Sequence, residues 1–281
     1  MTRLIEAWIS DIENDIEKYE LDLKEKLGYG LLSIAAYSAE ISEELLREKS
    51  KHEKVFIIQV TSGLGVIGHF AESVRAIIAG LGFDAYVTNK NDIAGLYEAA
   101  LRGGDIVFLA DDNEFIALNI KTGNAVNNDL ATAKGFFGAF CILYDKLNGE
   151  MGNQTCDNQL LKLVLVGFGT VGSIIAELLE ENGFEFDLLE KSFKKKDEAK
   201  NKGINLLESE SDLVNYDIIF DASCEGGFIN KEMIKDGAWF IGPGVPISLD
   251  NETAETMKDR IVHDYLPIGV ATMLAMANKM Y

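Results

Sequence analysis

Residues 163–190 read LVLVGFGTVGSIIAELLEENGFEFDLLE, a complete strand–turn–helix–strand pattern. Leu163–Val166 is a short, branched apolar run, which suits a strand buried on both faces. Gly167, Gly169 and Gly172 follow at G-x-G-x-x-G spacing, with Phe168, Thr170 and Val171 between them. In this pattern the first glycine makes a tight turn, and the second lets a pyrophosphate approach the backbone. The third lets the helix pack closely on the strand. A helix is predicted over 170–182 and a second strand over 184–189. Glu190 ends that strand, about 20 residues beyond the glycines, where a carboxylate accepts hydrogen bonds from adenosine ribose hydroxyls. The stretch therefore predicts a Rossmann βαβ unit that binds NAD. Glu190 repels a 2′-phosphate, so NADP is disfavoured. Lys191 and Lys194–Lys196 follow and read as a solvated charge run.

The same glycine spacing occurs once more, at Gly63, Gly65 and Gly68, after the apolar run VFIIQV at 55–60. Its second strand ends in AYVTNK, at 85–90, with Thr88 and Asn89 where the acid should stand. The first motif thus lacks the full fingerprint. It still offers Thr61, Ser62 and several backbone amides ahead of a helix, which suits an anion. A substrate carboxylate held at Ser62 and Gly63 is one reading, and a structural turn is the other.

Outward from these motifs, residues 1–50 read as helices. Leu4, Ile5, Trp8, Ile9, Ile12 and Ile16 recur at helical spacing, Gly28 and Gly30 interrupt, and a second helix runs near 42–49. This amphipathic segment must dock on a partner surface. Next come a strand at 55–60, a helix at 67–80, a strand at 85–88, a helix at 93–101 and a strand at 105–110. The βαβαβ order predicts a parallel sheet. After a loop comes a helix over 128–147, then NGEMGNQTCDNQ, which has no periodicity. The expected fold is α/β: a helical N-terminal segment, a small parallel α/β unit, then a C-terminal Rossmann NAD-binding domain. The expected boundary lies at 149–159, dividing the chain into 1–155 and 156–281.

The 281 residues carry a net charge of −20, which argues against nucleic acid or an anionic membrane as the main partner. Cys141, Cys156 and Cys224 share no metal-ligand spacing, so no metal is expected, and they read as reduced thiols. No apolar run is long enough for a signal peptide or a membrane span, and a cytoplasmic location is expected. The reading allows a homodimer.

Acids at strand ends are the candidates for chemistry. FLADD, at 108–112, ends a strand at the sheet edge where parallel α/β sheets bind ligands. Asp111 and Asp112 point opposite ways, so one of them faces the cleft. VHDYLPIG, at 262–269, places His263 and Asp264 after the last strand, and Asp264 is a candidate for a substrate amine. Turn or helix capping is the plain alternative for each acid. Ala222 and Ser223 end one strand and Pro243 ends the next, both expected to line the cofactor crevice.

Five segments carry a likeness to a known family: VTSGLGVIGHFAESVRAIIAGLGFDAYVT, IAGLYEAALRGGDIVFLADD, NAVNND, VLVGFGTVG with Glu190, and IGVATML. From Val55 onward the chain resembles the PylD family, the dehydrogenases of the last pyrrolysine-forming step. The resemblance implies NAD-dependent oxidation of the terminal amine of 3-methyl-D-ornithyl-Nε-L-lysine. The product then closes to the pyrroline ring with loss of water or ammonia. The substrate-side serine falls on Ser62 and the strand-end aspartate on Asp111. Asp111 is the candidate to hold the amine and to take its proton, directly or through water. The family pattern has Glu where this chain has Asp264, which keeps the charge with less reach. The N-terminal helices are expected to act as a lid. The alternatives are another NAD-dependent amine or hydroxy-acid dehydrogenase, or a regulatory NAD-binding domain of the potassium-transporter type.

Overall fold

The computed structural model describes residues 4–64, 66–152 and 161–279. Gly65, Cys156 and most of the expected linker lie outside the described residues. The chain divides into two compact units. One runs to Gly138 and resumes at Tyr265, and the other is Ala139–Asp264.

The first unit opens with α1 (Glu6–Ile9), α2 (Ile12–Leu27), α3 (Leu31–Ala39) and α4 (Glu43–Ser50). Gly28 ends α2 in the left-handed region, φ 79°, with its amide donating to the Lys24 carbonyl. Ser42 caps α4 by accepting from the Leu45 amide at 3.1 Å. Sequence periodicity misses α3, LLSIAAYSA, because it has no polar face. Seven of its nine residues are buried, as an all-round apolar helix requires.

The sheet of this unit is built from β1 (Lys54–Gln59), β2 (Asp84–Val87), β3 (Ile106–Ala110), β4 (Phe115–Asn119) and β5 (Ala125–Asn127). The helices α5 (Phe70–Gly80) and α6 (Asp92–Leu101) connect the first three strands, and α7 (Asn128–Gly152) follows the last. The strand order is β2-β1-β3-β4-β5. The expected all-parallel sheet is corrected here. β1, β2 and β3 are parallel, but β4 pairs antiparallel with β3, and β5 with β4. Short polar turns at 111–114 and 120–124 hide this meander in the sequence. The N-terminal helices dock on α5, where Ser73 Oγ donates to the Ile9 carbonyl at 2.9 Å and Arg75 pairs with Glu13.

The second unit holds the remainder of α7, then β6 (Leu163–Val166), α8 (Thr170–Glu181), β7 (Phe186–Leu189) and α9 (Phe193–Asn201). It continues with β8 (Asn205–Leu206), β9 (Ile218–Asp221), β10 (Trp239–Ile241), α10 (Asn251–Met257) and β11 (Ile261–Val262). The six strands are parallel in the order β11-β10-β9-β6-β7-β8. This is the doubly wound Rossmann arrangement, reversing direction between β6 and β9. Val164, Val166, Ile219 and Phe240 form its core with Leu189 and Leu213. Phe140 on α7 joins Phe184 and Phe220, with ring centroids at 5.0 and 5.6 Å.

The final helix, α11 (Pro267–Ala277), belongs to the first unit, so the structure does not divide at 155/156. The division falls inside α7, and all 11 residues of α11 are buried, many of them against α3. Glycines permit this packing. A Cβ on Gly135 of α7 would stand 2.5 Å from Thr272 Oγ1 and 2.6 Å from Ile268 Cγ2. The last carbonyls of the buried helix take side-chain donors: Asn119 Nδ2 reaches Ala277 at 3.1 Å and Asn124 Nδ2 reaches Met276 at 2.9 Å. Gly135→Ala is expected to lower stability by about 1–3 kcal/mol through overpacking. Gly149→Ala, in the same helix with open space around it, is expected to raise it by up to ~1 kcal/mol through helix propensity. Urea denaturation of both variants checks the contrast. Equal effects would show that the α7–α11 approach does not limit packing.

Candidate functional site

In the second unit, β6 and β9 lie side by side and their exits meet. Gly167, at φ 91°, follows β6, and a Cβ there would lie 2.8 Å from Ser223 Cα and 2.9 Å from the Ala222 carbonyl oxygen. Gly169 is the N-cap of α8, so the helix begins at Thr170, with Val171 and Gly172 in its first turn. A Cβ on Gly172 would collide with the Gly167 carbonyl oxygen. No side chain caps α8. Its first amides are left for a ligand, and the helix dipole makes that ligand an anion.

Glu190 stands where β7 ends. Its Oε2 accepts from the Phe168 amide at 2.7 Å, and Oε1 accepts from the amides of Lys191 and Ser192 at 2.8 and 2.7 Å. Three backbone donors fix the carboxylate beside the glycine turn. It keeps acceptor capacity for ribose hydroxyls. These residues fit a nicotinamide dinucleotide.

Asp221, at the end of β9, is fully buried. It accepts from the Ser223 amide at 2.9 Å and the Ser248 amide at 3.3 Å, and the Gly244 backbone lies against its carboxylate. Burial pushes its carboxyl pKa up. Asp221 therefore shapes the Ala222–Ser223 turn. Beside it, His263 Nδ1 lies 3.0 Å from the Gly242 carbonyl oxygen. The carbonyl only accepts, so Nδ1 carries the proton, and burial pushes the imidazole pKa down toward the neutral form. His263 thus steadies the turn that carries Pro243. Asp264, offered for a substrate amine, is a buried residue two positions past β11.

In the first unit the glycine motif folds differently. The helix after Gly68 starts at Phe70, and His69, at φ 61°, is its N-cap. The loop amides expected for an anion are already engaged by this chain's own acids. Thr61 donates to Asp92 through its amide at 2.8 Å and its hydroxyl at 2.6 Å, and Leu64 donates through its amide to Asp112 Oδ2 at 2.6 Å. The Asp112 carboxylate also fills the space beside Gly63. Ser62 is exposed on the same loop. The Thr61 bonds hold the Asp92 carboxyl below its usual range. Asp92 thus anchors the loop at neutral pH, and the contact is lost only as the pH falls through that lowered pKa.

Asp111 Oδ1 accepts from the Asn113 and Glu114 amides at 2.7 and 2.9 Å, closing the β3–β4 turn. Those bonds, Glu114's first, lower its carboxyl pKa. Asp111 is a firmly ionised, exposed acid at the C-terminal edge of the sheet. Asp112, by contrast, turns to the glycine loop. The sequence offered no signal for Asp92 or for the Asp112–Leu64 bond, because both cross between distant segments. Among the described residues no His, Cys, Asp and Glu cluster is arranged for a metal ion, and no helix is long and apolar enough to cross a membrane.

Comparison with known proteins adds the family. The profile described as pyrrolysine biosynthesis protein PylD, N-terminal domain, matches residues 9–126. Pyrrolysine synthase of Methanosarcina acetivorans is 34% identical over 225 residues, covering 79% of this chain and 81% of the relative. Pyrrolysine synthase of Methanosarcina barkeri is 32% identical over 232 residues, covering 80% and 81%. Among solved structures, shikimate 5-dehydrogenase from Thermus thermophilus, in complex with NADP(H) and shikimate, matches at 12% identity and TM-score 0.46, covering 79% of this chain and 92% of that one. The bifunctional 5,10-methylenetetrahydrofolate dehydrogenase/cyclohydrolase from Thermoplasma acidophilum matches at 13% identity and TM-score 0.47, covering 88% and 94%. The strand order, and not these distant likenesses, carries the fold. On the strength of its two Methanosarcina relatives, the chain belongs to the PylD family of pyrrolysine biosynthesis.

Proposed function

We propose that this chain is a pyrrolysine synthase: an NAD-dependent dehydrogenase that oxidises the terminal amine of 3-methyl-D-ornithyl-Nε-L-lysine. The product then closes to a pyrroline ring with loss of water or ammonia. The observation that carries the cofactor half is the uncapped start of α8 beside a fixed Glu190. A carboxylate held there by three amides cannot swing aside for a 2′-phosphate, which favours NAD over NADP. When bound, the nicotinamide ring supplies the hydride acceptor.

The chain's own contribution is binding and orientation. Asp111 is ionised, exposed and directed by its turn, with Oδ2 left for a cation. It suits the substrate's terminal ammonium. Its lowered pKa makes it a weak base, so its part is to hold the amine. Ser62 and Gly63 sit on the loop expected to meet a substrate carboxylate, which there must displace Asp112 from the Leu64 amide. Asp264 is a further candidate for the amine end.

Asp111→Asn is expected to lower kcat/KM for the methylornithyl-lysine substrate roughly tenfold or more, since a charge-assisted contact is lost. NADH affinity, read by fluorescence titration, should stay near the parent value. An equal loss of both would remove Asp111 from the substrate site. Simple amino acids such as lysine or ornithine should give no NADH, and turnover of these in place of the dipeptide-like substrate would point to another amine dehydrogenase.

Gly169→Ala tests the cofactor half separately. The atom nearest the new methyl is the end of a flexible lysine, so folding should be unaffected. Dinucleotide binding should fall at least ~10-fold because the methyl occupies the pyrophosphate's approach. A calorimetric titration showing unchanged NADH affinity would refute the reading.

A further inference from the structure

The run at 191–196 is not uniformly solvated. Lys191 Nζ pairs with Glu225 at 2.9 Å and Glu210 at 3.3 Å, and lies 3.8 Å above the Phe228 ring. It is drawn away from Glu190 although it is the next residue. Lys194 is 87% exposed and approaches Glu198. Lys195 differs from both. It is half-buried, it makes no ion pair among the described residues, and its Nζ lies 3.5 Å from the position a Cβ on Gly169 would take. The ammonium group thus sits over the one glycine of the turn whose missing side chain admits pyrophosphate.

A lysine left unpaired in a chain of net charge −20, beside an uncapped helix start, faces a second positive potential. An anion held between the two is attracted by both. We propose that Lys195 is a pyrophosphate-binding residue: its ammonium group pairs with a phosphate oxygen of the dinucleotide held at the start of α8. The assignment rests on the dinucleotide reading above and adds a side-chain cation to a contact otherwise made by backbone. It also separates the lysines by role. Lys191 is committed to two glutamates, and Lys195 serves the cofactor.

The test is direct binding, measured by titration calorimetry and ligand-observed NMR with NADH, NADPH, ADP and adenosine as probes. Lys195→Met should weaken NADH and ADP about tenfold, the value of one charge-assisted hydrogen bond. Adenosine, which has no phosphate, should bind as to the parent. Lys195→Arg should restore most of the lost affinity, and Lys194→Met, at an exposed lysine, should leave NADH binding near the parent value. Added salt should weaken NADH binding to the parent more steeply than to Lys195→Met. Unchanged NADH and ADP affinity in Lys195→Met would overturn the proposal, as would an equal loss for adenosine. A loss confined to NADPH would mean that Lys195 meets a 2′-phosphate instead. Failure of the parent to bind any of the three phosphorylated probes would instead overturn the dinucleotide reading itself.

Discussion

The first turn of α8 lies against the exit of β6 so closely that a methyl group on Gly172 would overlap the Gly167 carbonyl oxygen. Gly167 in turn has a left-handed φ and touches the backbone of Ser223, just past β9. These contacts hold three pieces of chain together at the point where the sheet reverses direction. The helix must then start at once after Gly169, with no residue left over to cap it. Its free amides, the position of Glu190 against Phe168, and the space over Gly169 all follow from that close approach. A side chain at either glycine would push the helix off the strand and remove the cradle.

Two G-x-G-x-x-G motifs in one chain show what spacing alone decides. Both were legible as turns between a strand and a helix. Glu190 singled out the second, and the two motifs continue differently: α8 starts inside its motif, whereas α5 starts beyond Gly68. What was not legible is why the first loop differs. Its amides are taken by Asp92 and Asp112, which lie 31 and 48 residues away in sequence. Local pattern carries no information about such partners.

The other gaps have similar causes. Buried helices α3 and α11 are apolar on all sides, so periodicity neither outlined the first nor assigned the second to its unit. The meander of β4 and β5 is short and interrupted by polar turns, and it turned an expected parallel sheet into a mixed one. The strand-end positions of Asp111 and Glu190 were legible, but their environments, and that of Asp221, were not. Glu190 is fixed by amides beside a cradle, Asp221 is sealed inside a turn, and Asp111 stands in solvent at a sheet edge.

That last difference bears on the proposed chemistry. An amine gives up hydride from its carbon only when nitrogen has a lone pair, so an ammonium with a pKa of roughly 10 must first lose a proton. A carboxylate beside the ammonium stabilises the charged form and works against that loss. Asp111 has its own pKa lowered by two backbone amides, which makes it a still poorer acceptor. Recognition and activation therefore pull in opposite directions at this residue. On the proposed reading Asp111 selects and holds a cationic substrate, and the proton is taken by a group other than Asp111. On that reading the β3–β4 turn supplies placement and not basicity.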